Sequence, residues 1–177
     1  LPKGYDTSTL PSNENKITAS DAVSNAHFGR SVAVGNGRIV VGSGDYNNVG
    51  AAYIFDLDGT QIAKITASDA ASNDNFGQDG NTVAVGSGRI VVGAPMNQDA
   101  GYASGSAYIF DLDGTQLAKI TASDAAAGDN FGYSVAVGNG IIVVGAYGND
   151  DAGSSSGSAY IFDLDGTQLA KITASDA

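Results

Sequence analysis

A chain of 177 residues with 42 % hydrophobic side chains can bury a core, so its composition is not that of a disordered segment. Its formal net charge of −11 argues against nucleic acid and anionic membrane surfaces as partners. Cysteine is absent, which excludes disulfides and thiolate metal sites, and no run of 18 apolar residues offers a membrane-spanning helix.

Of the acidic residues only Glu14 is Glu, and the others are Asp. Together with 25 glycines this favours turns over helices. Residues 1–15 are non-repetitive and contain Pro2 and Pro11. A chain that opens on Leu1 is expected to have lost a leader or to be a piece of a longer protein. From Lys16 onward the sequence repeats. The string Lys-Ile-Thr-Ala-Ser-Asp-Ala starts at Lys16, Lys64, Lys119 and Lys171, and divides the chain into repeats at 16–63, 64–118 and 119–177. Length varies at two places, after Phe76-Gly77 and after Gly93 and Gly145, which marks both as loops.

Each repeat predicts four strands and no helix. In the third they fall at 133–137, 141–145, 158–163 and 167–173. Asn139-Gly140 lies between the first two, with Asn36-Gly37 and Ser87-Gly88 in the same place earlier. Such a pair between apolar runs predicts a two-residue hairpin, because a type I′ turn needs positive φ at both central residues. Asp-Leu-Asp-Gly joins the last two strands. The expected fold is all-β, with tandem four-stranded antiparallel blades of β-propeller type. Three repeats within one chain make an open array and not a closed ring.

Phe28-Gly29, Phe76-Gly77 and Phe131-Gly132 open the repeats. Gly93-Ala94-Pro95, Gly145-Ala146-Tyr147 and Gly42-Ser43-Gly44 follow the second strands, and Ala-Tyr-Ile-Phe forms each third strand. This pattern resembles the FG-GAP repeat family, which builds the seven-bladed propeller of integrin α subunits and occurs in many bacterial surface and secreted proteins. The resemblance implies a propeller fold and a secreted or cell-surface location. The family's usual calcium loop lies between the first two strands, where this chain has only its two-residue turns, so calcium dependence does not carry over.

Few residues suggest chemistry. Asp56 and Asp58, Asp111 and Asp113, and Asp163 and Asp165 pair carboxylates two apart in the Asp-Leu-Asp-Gly turns. They are candidate ligands for a weak Ca2+ site, although calcium wants six to eight oxygens. The competing reading is a hairpin turn whose Asp caps its own backbone. The loops holding Asn97-Gln98-Asp99 and Asn149-Asp150-Asp151 could hold a cation or a sugar hydroxyl, the plainer expectation being solvated loop. His27, the one histidine, stands where Asn75 and Asn130 stand in the other repeats, which argues against a catalytic role. Tyr53, Tyr108 and Tyr160 repeat at one strand position and read as a packing stripe more than a sugar platform.

Three blades leave two faces bare, and 16–18 is a fourth-strand sequence without the three strands before it. The expectation is therefore a non-enzymatic extracellular or cell-surface structural or adhesive protein. Its partner would be itself, as a homo-oligomer or filament built through blade faces and strand pairing, or another surface protein. Two alternatives stay open: a cation-assisted glycan- or protein-binding module, and a fragment of a larger FG-GAP propeller protein.

Overall fold

The computed structural model describes residues 16–44, 49–78 and 80–175. The non-repetitive segment 1–15 lies outside them. Among the described residues twelve strands form three four-stranded antiparallel sheets, each in sequential order. Blade 1 holds β1 (Ser31–Gly35), β2 (Arg38–Ser43), β3 (Ala51–Phe55) and β4 (Gln61–Ile65). Blade 2 holds β5 (Val83–Gly86), β6 (Arg89–Ala94), β7 (Ser106–Phe110) and β8 (Gln116–Ile120). Blade 3 holds β9 (Phe131–Gly138), β10 (Ile141–Ala146), β11 (Ser158–Asp163) and β12 (Gln168–Ile172). The all-β, open three-blade architecture is the one expected, with no helix among the described residues. No helix of the described residues is long and apolar enough to cross a membrane.

The hairpins follow from local chemistry. Asn139 and Gly140 have φ of 52° and 81°, and the pairs 36–37 and 87–88 share this left-handed geometry. Gly138 and Ile141 face each other across the turn. The third strands share a run of consecutive apolar residues, Ala-Tyr-Ile-Phe, instead of alternating, and in blades 1 and 2 both of their faces are covered. Ala51–Phe55 and Ser106–Phe110 are buried throughout.

The blades stack face to face. Val40, Ala52, Ile54 and Ile65 of blade 1 form one core with Phe76, Ile90, Val92, Ala94, Tyr108 and Phe110 of blade 2. Val91, Ala107, Ile109 and Ile120 of blade 2 do the same with Phe131, Ile142, Val144, Ala146, Tyr160 and Phe162 of blade 3. Each blade thus has a trailing face of small and aliphatic residues and a leading face rich in aromatics. Glycine sets the spacing. A Cβ on Gly42 would lie 2.0 Å from the Gly77 carbonyl oxygen, and one on Gly93 would lie 1.9 Å from that of Gly132.

Residues 16–18 form no strand among the described residues. Ile17 and Ala19 instead pack on Val41, Ala51, Tyr53 and Phe55 of blade 1's leading face. They take the place that Ile65 and Ala67 take against blade 2, and Ile120 and Ala122 against blade 3.

Candidate functional site

The polar chemistry of the chain gathers at the joints between blades, in two recurring latches. The first holds the connector. Tyr108 on β7 donates its hydroxyl to Asp69 Oδ1 at 2.8 Å, and Lys119 on β8 reaches Asp69 Oδ2 at 2.5 Å. Gln116 Nε2 donates to Ser68 Oγ while its Oε1 accepts the Ser68 amide. Every repeat has this latch: Tyr53, Lys64 and Gln61 hold Asp21 and Ser20, and Tyr160, Lys171 and Gln168 hold Asp124 and Ser123. A Ser-Asp connector is therefore gripped by the blade that follows it. Each lysine also lies over its tyrosine ring, 5.3 to 5.5 Å from the centroid.

The long loops complete this latch in two blades. Lys119 also pairs with Asp99, and Lys171 with Asp151. The expectation of solvated loops is corrected at their centres, for Asn97 and Asn149 are buried. Asn97 Oδ1 accepts Ser106 Oγ–H at 2.9 Å, and its carbonyl accepts the Gly105 amide. Asn149 repeats both contacts with Ser158 and Gly157. A buried amide side chain here supplies hydrogen bonds that the irregular backbone lacks.

The second latch joins neighbouring blades through arginine. Arg38, at the start of β2, donates from Nε to the Leu112 carbonyl at 3.0 Å and from Nη2 to Asp113 Oδ1 at 3.1 Å. Arg89 on β6 likewise donates from Nε to the Leu164 carbonyl at 3.2 Å, and its Nη2 forms an ion pair with Asp165 Oδ1 at 3.6 Å. Leu112 and Leu164 tuck into the cores on either side of blade 2, whereas Leu57 of blade 1 is exposed. In blade 3 the arginine position is Ile141.

The six candidate metal ligands are placed by these contacts. Asp111 Oδ1 accepts the amides of Asp113 and Thr115, and Asp163 Oδ1 those of Asp165 and Thr167. Asp56 and Asp58 both accept the Thr60 amide. Asp113 and Asp165 face the arginines of the preceding blade. Gly59, Gly114 and Gly166 close the turns with φ of 90° to 98°. Among the described residues no three His, Asp or Glu side chains converge as a metal site would require. The first Asp of each turn caps its own turn's backbone. Tyr53, Tyr108 and Tyr160 are packing residues, almost fully buried. His27 adopts the left-handed conformation of Asn75 and Asn130, with φ of 48°.

Proton affinities move away from neutrality. Lys64 and Tyr53 hydrogen bonds lower Asp21. Burial pushes Asp69 and Asp124 up, but their lysine and tyrosine partners outweigh it and the net shift is downward. Burial, reinforced by the neighbouring carboxylate, raises Tyr108, and it brings Tyr160 to about 12. Burial opposes the charge on Lys119 and Lys171, yet their aspartates raise both. Acid–base catalysis needs the opposite, a group tuned toward the working pH.

A pH dependence follows from these signs. The aspartate contribution to stability is present above the ordinary carboxylate value of 3.8 and is lost as pH falls below it through the lowered values. The lysine contribution is complete below the ordinary 10.5 and is lost as pH rises past the raised values. Urea unfolding midpoints measured against pH are expected to be flat from about pH 5 to pH 10 and to fall outside that window. A midpoint that changes steeply near neutrality would contradict the latch assignments.

Solved structures resemble the fold. A europium-containing methanol dehydrogenase superposes with a TM-score of 0.57 at 14 % identity, over 85 % of this chain and 26 % of that one. This chain therefore spans about a quarter of that protein's length, and the likeness concerns fold alone. No curated protein matches it. The FG-GAP repeat is matched at residues 11–55, 60–110 and 115–162, each match joining a connector to the three strands that follow. With most of its length so matched, the chain belongs to the FG-GAP repeat family.

Proposed function

We propose that the chain is a non-catalytic structural or adhesive module of a secreted or cell-surface repeat protein, and that its working chemistry is contact between blade faces. Family membership supports the extracellular setting, since FG-GAP repeats occur in such proteins. One observation carries the contact reading. The trailing faces of blades 1 and 2 are sealed by the next blade, with Val40, Ile54, Val91 and Ile109 all at 0 % exposure. The same face of blade 3 is open, and Ile172 is 50 % exposed where Ile65 and Ile120 are buried. Val143, Ala159 and Ile161 are half-buried beside it. An aliphatic sheet face of this kind drives association.

The reading is tested by adding a blade. Residues 171–177 repeat 119–125, so residues 126–177 appended after Ala177 continue the array in register. The extended chain is expected to melt at a higher temperature than the original. Ile161→Asp should cost the extended chain about 3 kcal/mol, by placing a carboxylate in a sealed apolar interface. In the original chain, where Ile161 borders solvent, the cost should be roughly 1 kcal/mol. An appended blade that adds no stability, or an Ile161→Asp penalty equal in both chains, would refute the contact reading.

A further inference from the structure

Repeats 2 and 3 carry a long loop of equal length, and its structural residues are the same in both: Asn97 and Asn149, Asp99 and Asp151, Ser106 and Ser158. Between Ala94 and Ser106 the two loops differ at five positions. Three of these are Met96, Gln98 and Tyr102, where blade 3 has Gly148, Asp150 and Ser154. In the connector ahead of Phe76, Asn73 stands where blade 3 has Gly128. The structure brings these positions together. Asn73, Asn75, Met96, Gln98 and Tyr102 line a cleft of about 320 Å3 between the connector and the long loop of blade 2. Four of its five lining residues are thus departures from blade 3, set on a scaffold that does not change. Variation of this kind marks a recognition loop.

Both walls are fixed. The Met96 amide donates to the Asp74 carbonyl at 3.3 Å, and the Met96 sulphur accepts Asn130 Nδ2 at 3.5 Å. Asp74 is buried, and its Oδ2 accepts the Ala71 amide at 3.0 Å. The Tyr102 carbonyl accepts the Gly128 amide at 2.8 Å, which ties the loop to the next connector. A site held in place beforehand loses little conformational freedom on binding.

The polar groups of the cleft serve no such purpose. Asn97, Asn130 and Asn149 all bond the structure around them. Asp150, which replaces Gln98 in blade 3, accepts the Ser155 amide at 2.6 Å. The carboxamides of Asn73, Asn75 and Gln98 have no hydrogen-bond partner among the described residues. Tyr102 is 68 % exposed, unlike the buried tyrosines of the third strands. No lining residue is charged, and the neighbouring Asp99 turns away to Lys119.

From this geometry we infer that the cleft binds one ring of a neutral saccharide. A pyranose has an apolar face of C–H groups and an edge of hydroxyls that both donate and accept. A rigid, exposed tyrosine ring suits the face. Three carboxamides, each with an acceptor and two donors, suit the edge. The cleft is at the small end of ligand pockets, room for one ring with the rest of a glycan in solvent. A charged ligand would find no counter-charge. An apolar one would strip water from three amides and return no hydrogen bond.

Nitrogen-edited NMR of the full chain reads the three carboxamides directly. The probes are the methyl glycosides of glucose, galactose, mannose and N-acetylglucosamine, with sorbitol as an acyclic control. At least one glycoside is expected to shift the Asn73, Asn75 and Gln98 side-chain signals, with a dissociation constant of roughly 1 mM. Tyr102→Ala should weaken that binding roughly tenfold, and Tyr102→Phe should keep it within about threefold, because the sugar meets the face of the ring. Both changes lie on an exposed side chain and should leave the melting temperature unaltered. No saturable shift from any of the four glycosides at about ten times that concentration overturns the inference. So does sorbitol binding as tightly as the best glycoside, or an affinity that Tyr102→Ala leaves unchanged. Shifts confined to other aromatics, such as the Tyr133–Tyr147 pair, overturn it as well. The blade faces take no part in this binding, so none of these outcomes bears on the appended-blade comparison.

Discussion

Gly93→Ala is expected to destabilise the chain by about 3 kcal/mol, whereas Gly145→Ala, the same change one repeat later, should be nearly neutral. The two glycines hold equivalent places at the ends of β6 and β10. A Cβ on Gly93 would stand 1.9 Å from the Gly132 carbonyl oxygen of the next blade and 2.8 Å from its carbon. Backbone on both sides must then move, and the sheets must separate along Val91, Ala107 and Ile109, which Phe131 and Tyr160 now seal. Separation by even one methyl radius forfeits much of the dispersion contact across the joint. A Cβ on Gly145 meets only the Ser134 hydroxyl of its own blade, at 2.4 Å, and a hydroxyl can rotate aside. Denaturant titration of the two variants gives the comparison. Equal losses would mean that the glycine serves the strand itself, and that blade spacing is set elsewhere.

That contrast bears on what could be read from the sequence. Strands and hairpins were legible because their causes are local: Asn139-Gly140 can adopt paired positive φ, and the apolar runs on either side have strand length. The repeat motif was legible too, but not the purpose of its glycines, which concerns a carbonyl about 40 residues away in another blade. The connector latch was missed for a related reason. Asp69 and Lys119 are visible in every repeat, yet near-identical repeats give no hint whether a connector is held by the blade before it or the blade after it. Geometry decides this, pairing Ser68 and Asp69 with the following β8. Asn97 and Asn149 were misread because Asn among Gly, Ser and Asp has the composition of solvated loop. Nothing local reveals that its side chain turns inward to Ser106 or Ser158.

Phe76→Ala should be among the most damaging single truncations, at about 3–5 kcal/mol. Phe76 is fully buried, with ring centroids 5.5 Å from Tyr108 and 6.0 Å from Phe110, both edge to face. It also belongs to the core at the joint, together with Val40 and Ile54 of blade 1. Gly50 of blade 1 bridges directly to its backbone. Removing the ring therefore opens a cavity inside blade 2 and loosens blade 2 from blade 1 at once. Phe28 makes the same pair of edge-to-face contacts, with Tyr53 and Phe55, but it is only half-buried, and among the described residues no preceding blade packs on its cluster. Phe28→Ala should accordingly cost less, about 2 kcal/mol, with a single sharp transition retained. In a linear array, stability is the sum of unit and nearest-neighbour terms. Weakening the joint between blades 1 and 2 is then expected to split unfolding into two steps, with blade 1 released first. Calorimetry of the two variants would show this directly. A single cooperative transition in Phe76→Ala, shifted no further than in Phe28→Ala, would mean that the blades do not depend on one another through these faces. The bare face of blade 3 would then lose its claim to be a working surface.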